Sequence, residues 1–220
     1  MKIKKEYDSK RPKVLVMSGY GINCESESSY AFEKAGAETE IVHVNDIIEK
    51  KKHMSAYDIL FFPGGFSYGD DTGSGNAFAN KVKNNLWDDI NSFIDDGKLI
   101  IGICNGFQIL SNLGLFGRNG ERINAMLSNN QDRYECRWVN IRHEDSICVF
   151  TKGMERINVP VAHGEGKFYC DNDVLNTLKK NKQVVFRYCD EEGNDADGFP
   201  QNPNGSLDNI AGICDRTGRV

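Results

Sequence analysis

The stretch Leu-Ile-Ile-Gly-Ile-Cys-Asn-Gly-Phe-Gln-Ile-Leu-Ser-Asn-Leu-Gly, residues 99 to 114, is the most informative part of the sequence. Residues 99 to 103 form an apolar run typical of a buried strand, and residues 105 to 113 are typical of a helix. Gly102 and Gly106 flank Cys104 and allow a sharp strand-to-helix turn that exposes its side chain. The positive end of the following helix is expected to favour the thiolate. We therefore predict that Cys104 is a nucleophile at the carboxyl edge of a sheet.

The sequence before this turn alternates short apolar strands with helices. Such strands are buried on both faces, so the pattern predicts an α/β fold with a doubly wound, mainly parallel, flavodoxin-like sheet. The predicted strands are 14–18, 40–44, 59–62 and 99–103, and the predicted helices are 23–35, 77–94 and 105–113. Residues 1–12 are charged and lack periodicity, so we expect a flexible tail followed by a single domain over residues 13–220.

After about residue 131 the pattern changes to strand-like stretches with one helix. We expect these added strands in the C-terminal half to extend the same sheet. The strands are predicted at 137–141, 157–161, 184–188 and 210–214, and the helix at 171–180. The polar segment 190–204, with its Gly and Pro residues, predicts a mobile surface loop.

Composition excludes several classes of protein. The formal charge of −5 gives no field that would attract a nucleic-acid backbone, so we expect no nucleic-acid partner. No apolar run approaches the length of a membrane span, and the Lys-rich start is not followed by a signal core, so we expect no membrane partner and a cytoplasmic protein. The seven cysteines lack metal-ligand spacing, so we expect no metal site and mostly buried thiols.

Hydrolysis of an amide requires hydrogen-bond donors for the oxygen that becomes negative. The backbone N–H of Asn105 is one candidate, and Gly65, after the strand ending at Phe62, is the second, with Gly64 making the turn. The alternative is that Gly64 and Gly65 only form a tight turn. Their position beside the Cys104 elbow favours the oxyanion hole.

Five motifs, in this order along residues 13 to 220, resemble the glutaminase subunits of phosphoribosylformylglycinamidine synthase, which are class I glutamine amidotransferases. The segment from Gly102 to Gln108 is similar to the nucleophile motif of the class. The other four are Pro63-Gly64-Gly65-Phe66-Ser67-Tyr68-Gly69-Asp70, Cys136-Arg137-Trp138-Val139, Val161-Ala162-His163-Gly164-Glu165-Gly166 and Asn202-Pro203-Asn204-Gly205-Ser206.

The resemblance implies that Cys104 attacks the side-chain amide of glutamine, forms a thioester and releases ammonia. It also implies a large synthetase subunit and a small accessory subunit as partners, with ATP and Mg in the synthetase and no cofactor in this chain. Ammonia would serve the ATP-dependent conversion of formylglycinamide ribonucleotide to formylglycinamidine ribonucleotide in purine biosynthesis. Gly64 and Gln108 would bind glutamine, although Gln108 is alternatively a polar residue on the first helical turns.

The resemblance also implies a catalytic His and Glu in a His-Pro-Glu stretch beyond residue 214, and the sequence has no His after His163. We therefore expect a chain that lacks its C-terminal end and has little glutaminase activity. His163 and Glu165 project from one face of a strand, but the family places this segment apart from its catalytic pair, so we assign them, with Arg137, a structural or interface role.

Two other hypotheses remain open at this point. The chain could be a non-catalytic docking or scaffold subunit of the same complex. It could also be a redox-sensing or peptidase relative, which would explain the elbow cysteine but not the later motifs.

Overall fold

A computed structural model describes residues 11–117 and 120–220, and its first half is a four-stranded parallel sheet with helices packed against it. The prediction of a doubly wound, mainly parallel sheet is confirmed. The strand order is β2-β1-β3-β4. The elements are β1 (Lys13–Ser18), α1 (Glu25–Lys34), β2 (Glu38–His43), α2 (Val44–Ile48), β3 (Ile59–Phe62), α3 (Asn76–Asp95), β4 (Leu99–Gly102) and α4 (Asn105–Leu113).

The core explains this order. Val14 to Met17 in β1 have no solvent exposure, as expected for a central strand covered on both faces. Helix α3 buries Phe78, Val82, Leu86, Ile90 and Phe93 along one stripe, the spacing that predicted it. Because Phe62 of β3 lies opposite Gly102 of β4, the two strands end together and their following loops meet at one edge.

The second half forms its own sheet, so the expectation that its strands extend the first sheet is wrong. Strands β6 (Glu135–His143), β7 (Arg156–His163), β9 (Val184–Cys189) and β10 (Ile210–Ile213) are antiparallel, in the order β10-β9-β6-β7. Strand β7 alternates exposed and half-buried residues along its whole length. Such one-sided burial is typical of an antiparallel sheet with one solvent-exposed face. A strand inside a parallel sheet covered on both faces would be buried on both sides.

One helix of the second half was predicted, whereas one short helix and two short strands were not. Helix α5 (Asn172–Lys180) agrees with its predicted position. Helix α2 and the paired strands β5 (Ala125–Leu127) and β8 (Lys167–Tyr169) were missed. Each has three to five residues, which is too short for hydrophobic periodicity to register.

The segment 190–204 is not wholly a surface loop, which corrects the expectation. Asn204 has no exposure and Asn202 has 5%, and their amides form hydrogen bonds with Ser206. Asn204 also donates to the hydroxyl of Tyr188 at 3.1 Å. The polar residues suggested a solvated loop, but here they satisfy one another inside the fold.

Residues 1–10 of the predicted tail lie outside the described residues. Arg11 donates to the carbonyl oxygens of Gly36 and Ala37, both at 3.0 Å. Among residues 11–117 and 120–220, no helix combines the length and apolar character needed to cross a bilayer.

Candidate active site

Cys104 has a backbone conformation that few residues adopt. Its φ of 55° and ψ of −115° lie outside the ordinary regions for an L-residue, and it joins β4 directly to α4. A Cβ on Gly102 would lie 2.6 Å from the carbonyl oxygen of Gly106, and a Cβ on Gly106 would overlap the backbone of Phe62. Glycines on both sides of Cys104 therefore allow the backbone segments around it to pack closely, and this packing holds Cys104 in its strained conformation.

The two predicted oxyanion donors converge on the Cys104 sulfur. The backbone N–H groups of Asn105 and Gly65 both interact with it and lower its pKa. Gly65 has a φ of +146°, and a Cβ there would approach the carbonyl oxygen of Gly21 to 2.7 Å. A Cβ on Gly64 would lie 3.5 Å from Cys104 Cβ. The pair of glycines thus brings unsubstituted backbone against the nucleophile.

Cys104 is exposed as a residue, but the protein packed around its sulfur desolvates the thiolate and raises the pKa of the thiol. The nearby Cys24 thiol and Asp70 carboxylate raise it further, and the two N–H groups only partly compensate. The N–H of Asn105 at the start of α4 favours the thiolate, as expected, but desolvation outweighs this contribution. The thiol is therefore protonated at neutral pH.

The Asn105 side chain fastens the nucleophile turn to the loop after β3. Asn105 is fully buried. Its Oδ1 accepts from Ser67 N, and its Nδ2 donates to Asp70 Oδ1 at 3.1 Å. It also donates to Gln108 Oε1 at 2.9 Å. Asp70 was not predicted as a site residue, although it ends one of the motifs that carry the resemblance.

Gln108 continues this network to the segment after β7. Its Nε2 donates to the backbone oxygen of Glu165 at 2.8 Å, while its Oε1 accepts from Asn105. The carboxylate of Glu165 accepts from Ser74 N at 3.0 Å. Both ends of the Gln108 amide are thus engaged within the protein, and Glu165 connects its own segment to the loop at Ser74 and to helix α4.

His163 lies close to the site, but its ring belongs to a different set of contacts. Its Nε2 is 3.5 Å from Asn204 Nδ2, its Nδ1 is buried without a hydrogen-bond partner, and the ring packs against Gly166. Burial lowers its pKa. The nearest contact of this strand with the nucleophile is the backbone oxygen of Ala162, 3.6 Å from Cys104 Sγ.

Arg137 forms part of an ionic cluster. Its guanidinium donates to Glu135, whose side chain is 3% exposed, and Arg133 pairs with the same carboxylate. The ring of Phe199 stacks on Arg137 at 4.5 Å, so Arg137 connects β6 to the long loop after β9.

A cavity of about 760 Å³ opens beside Cys104. One wall comes from β4 and α4, and the other comes from β6, β7, β9 and β10. In the described part of the chain, no three His, Cys, Asp or Glu side chains converge as metal ligands would.

The fold and the elbow cysteine define a glutamine amidotransferase, and comparison with known proteins agrees. The family model of the CobB/CobQ-like glutamine amidotransferase domain matches residues 11–220.

The relatives define the family more narrowly. The chain is 66% identical over 214 residues to phosphoribosylformylglycinamidine synthase subunit PurQ of Methanococcus maripaludis strain S2, covering 95% of this chain and 79% of that protein. It is 45% identical to the PurQ subunit of Dehalococcoides mccartyi, and the match covers 94% of this chain and 81% of that protein. The solved structure of PurLQS from Thermotoga maritima matches with a TM-score of 0.73 at 30% identity, covering 96% of this chain and 85% of that one. The chain belongs to the PurQ family, the glutamine amidotransferase subunits of phosphoribosylformylglycinamidine synthase.

Proposed function

We propose that Cys104 hydrolyses the side-chain amide of glutamine to glutamate and ammonia through a covalent thioester. The sulfur attacks the amide carbon, the tetrahedral intermediate collapses with release of ammonia, and water then frees glutamate from the thioester. The observation that carries the proposal is the strained Cys104 elbow packed against the Gly64–Gly65 backbone, which sets the N–H groups of Gly65 and Asn105 beside the nucleophile. Donors in this arrangement stabilise the oxyanion of an acyl-transfer reaction.

Glutamine is proposed to bind against Gly64, since a side chain there would compete for space beside Cys104. Gln108 was predicted to bind glutamine as well. Because both ends of its amide are bonded to Asn105 and Glu165, we propose that Gln108 shapes the wall of the pocket. Direct contact with glutamine would require Gln108 to exchange one of these bonds.

The protonated thiol limits the rate that the chain can reach alone. Attack requires loss of the thiol proton, and general acid–base assistance is commonly worth about 10²- to 10⁴-fold. The His163 ring, with its lowered pKa and its contacts with Asn204 and Gly166, is proposed to be structural. We therefore propose low glutaminase activity for the isolated chain, rising with pH as the Cys104 thiol ionises.

The ammonia is proposed to pass to a synthetase partner in the cytoplasm. The relatives are named as subunits of phosphoribosylformylglycinamidine synthase, and the Thermotoga structure is titled PurLQS. By analogy, a large synthetase subunit would bind ATP and Mg and aminate formylglycinamide ribonucleotide, and a small third subunit would complete the assembly.

A second candidate function is a docking subunit that no longer hydrolyses glutamine. The raised pKa of Cys104 and the engagement of the His163 ring by other residues favour it. Both candidates retain the same fold and the same complex, so only chemistry at Cys104 distinguishes them.

The test measures glutamate release from glutamine, with and without the synthetase and the small subunit, for the wild type and Cys104→Ala. Cys136→Ser is the control, since Cys136 is exposed and belongs to no part of the site. A glutamine-analogue electrophile, followed by mass spectrometry, reports whether the pocket is competent. Glutamate release that is lost in Cys104→Ala, with label on Cys104, supports the glutaminase. Absence of both in the assembled complex refutes it and leaves the docking subunit.

A further inference from the structure

Cys148 and Cys214 are two buried thiols that belong to the same group of packed side chains. Cys148 is 8% exposed and Cys214 1%, and both pack with Val185 in one small cluster. The hydroxyl of Ser146 bridges them, since it accepts from Cys148 N at 3.2 Å and lies 3.8 Å from Cys214 Sγ. The pair therefore joins the segment after β6 to the end of β10.

Cys148 is surrounded by donors in a way that other buried cysteines of the described chain are not. Its sulfur interacts with the Cys214 thiol, with the backbone N–H groups of Phe150 and Thr151, and with the Thr151 hydroxyl. The Cys214 contact, the largest influence, lowers the pKa of Cys148, whereas burial raises the pKa of Cys170 and of Cys189. This contact favours the thiolate of Cys148 over the thiolate of Cys214.

A small oxidant has a route to this pair although both residues are buried. Cys148 lines the same cavity as Cys104. Hydrogen peroxide is little larger than water, so a cavity of about 760 Å³ admits it.

We propose that Cys148 and Cys214 are a redox modification site that peroxides convert into a reversible disulfide. The Cys148 thiolate attacks one peroxide oxygen, the O–O bond breaks, and hydroxide leaves to give a sulfenic acid. The Cys214 sulfur then attacks the Cys148 sulfur, the S–O bond breaks, and a second hydroxide leaves. The two thiol protons convert both hydroxides to water, so two thiols and one peroxide give one disulfide and two waters.

The site is independent of the proposed glutaminase chemistry. The thiolate is the species that reacts with peroxide, and burial raises the pKa of Cys104 while Cys148 is shifted downward. Peroxide should therefore oxidise the Cys148–Cys214 pair before it oxidises the nucleophile.

The experiment treats the chain with hydrogen peroxide, alkylates the remaining thiols in denaturant and maps tryptic peptides. Cys148 lies in the peptide 143–152, but Cys189 and Cys214 share the peptide 188–216. The experiment therefore uses Cys189→Ser beside the wild type, so that a link between these two peptides identifies Cys214. In Cys214→Ser the sulfenic acid cannot be resolved, and a dimedone probe traps it on Cys148.

We expect the two peptides to be linked in both the wild type and Cys189→Ser and to separate on reduction. The disulfide should form at least tenfold faster than Cys104 is oxidised. Dimedone labelling of Cys148 should rise about tenfold in Cys214→Ser. The proposal is overturned if both cysteines stay fully alkylated at peroxide doses that oxidise the exposed Cys136. It is equally overturned if the link is lost in Cys189→Ser, because Cys189 would then be the partner. The mapping of Cys189→Ser decides the matter even if Cys214→Ser does not fold.

Discussion

Cys104 combines an unusual backbone with an unfavourable electrostatic environment. The strained elbow directs the sulfur toward two N–H donors, yet burial and nearby acidic groups raise its pKa. Partial desolvation strengthens hydrogen-bond donors that face a developing oxyanion, and it also disfavours the thiolate. In the proposed reaction, such a site would stabilise the transition state of acyl transfer more than it stabilises an ionised resting thiol.

Asp70 is the carboxylate that this environment places against the nucleophile. Its negative charge raises the pKa of Cys104, although less than desolvation and Cys24 do. Replacing it by Asn removes the charge with little change of shape, so Asp70→Asn should shift the pH profile of Cys104 alkylation to lower pH. At a pH just below the wild-type midpoint the rate should rise roughly a few-fold. The measurement is the iodoacetamide rate at Cys104 against pH, followed by mass spectrometry.

Asp71→Asn is the matched control, because Asp71 is the exposed neighbour of Asp70. It removes the same charge at the next position and should leave the profile in place. An unchanged profile in Asp70→Asn would contradict the electrostatic role. Melting temperatures of both variants show whether the hydrogen bond from Asn105 to Asp70 was lost as well.

At this scale the sequence predicted the residues that depend on local chain geometry. Cys104, Gly65 and Asn105 were predicted to lie together because glycines and strand ends fix where their backbones point, and the structure places them together. Asp70 could not, because its carboxylate reaches Asn105 through a turn in which Tyr68 and Asp70 both have positive φ. That conformation comes from contacts with residues 20 and 21, and no local pattern encodes it.

At the scale of secondary structure, long periodic segments were predicted well and their sheet membership was not. Strands β3 and β4 and helices α3 and α4 lie within one residue of their predicted bounds, because they bury continuous apolar runs or stripes. The later strands were found, but their pairing depends on long-range register. The alternation in β7 was the available signal for a second, one-sided sheet.

Asn204 shows how a polar loop becomes structural. It has no exposure, donates to Tyr188 Oη, and accepts from both the backbone and the hydroxyl of Ser206. Asn204→Ala removes these three hydrogen bonds and leaves the buried Tyr188 hydroxyl without its donor, so the free energy of unfolding should fall by about 2 kcal/mol. Urea denaturation measures the change, and Asn194→Ala, at an exposed position of the same segment, should cost less than about 0.5 kcal/mol. Equal losses of unfolding free energy in the two variants would contradict a stabilising role for the buried hydrogen bonds of Asn204.

Across the whole molecule, the candidate site is where the two sheets are joined. Glu165 follows β7 of the second sheet and contacts Ser74, in the loop before α3, and Gln108, in helix α4. The backbone of Ala162 contacts Cys104 from the same side. The geometry of the nucleophile therefore depends on the packing of both sheets.

Ion pairs at separate places should make the stability of this assembly sensitive to acid. The hydrogen bond from Arg133, followed by that from Arg137, lowers the pKa of Glu135, and Lys52 does the same for Glu40. A carboxyl group whose folded pKa lies below its unfolded value stabilises the protein above the unfolded value, about 4.3 for Glu. That stabilisation disappears as the pH falls through the folded pKa.

Glu135→Gln tests this dependence, because it removes the charge that holds two arginines and, through Arg137, the loop at Phe199. The wild type should melt at a higher temperature than Glu135→Gln at pH 6, and the difference should shrink progressively below about pH 4.3. Calorimetric melting temperatures between pH 3 and pH 7 measure it. Glu155→Gln, at an exposed position, should track the wild type at every pH. A difference between wild type and Glu135→Gln that stays constant into acid would show that Glu135 stabilises the fold by packing, and that its charge contributes nothing.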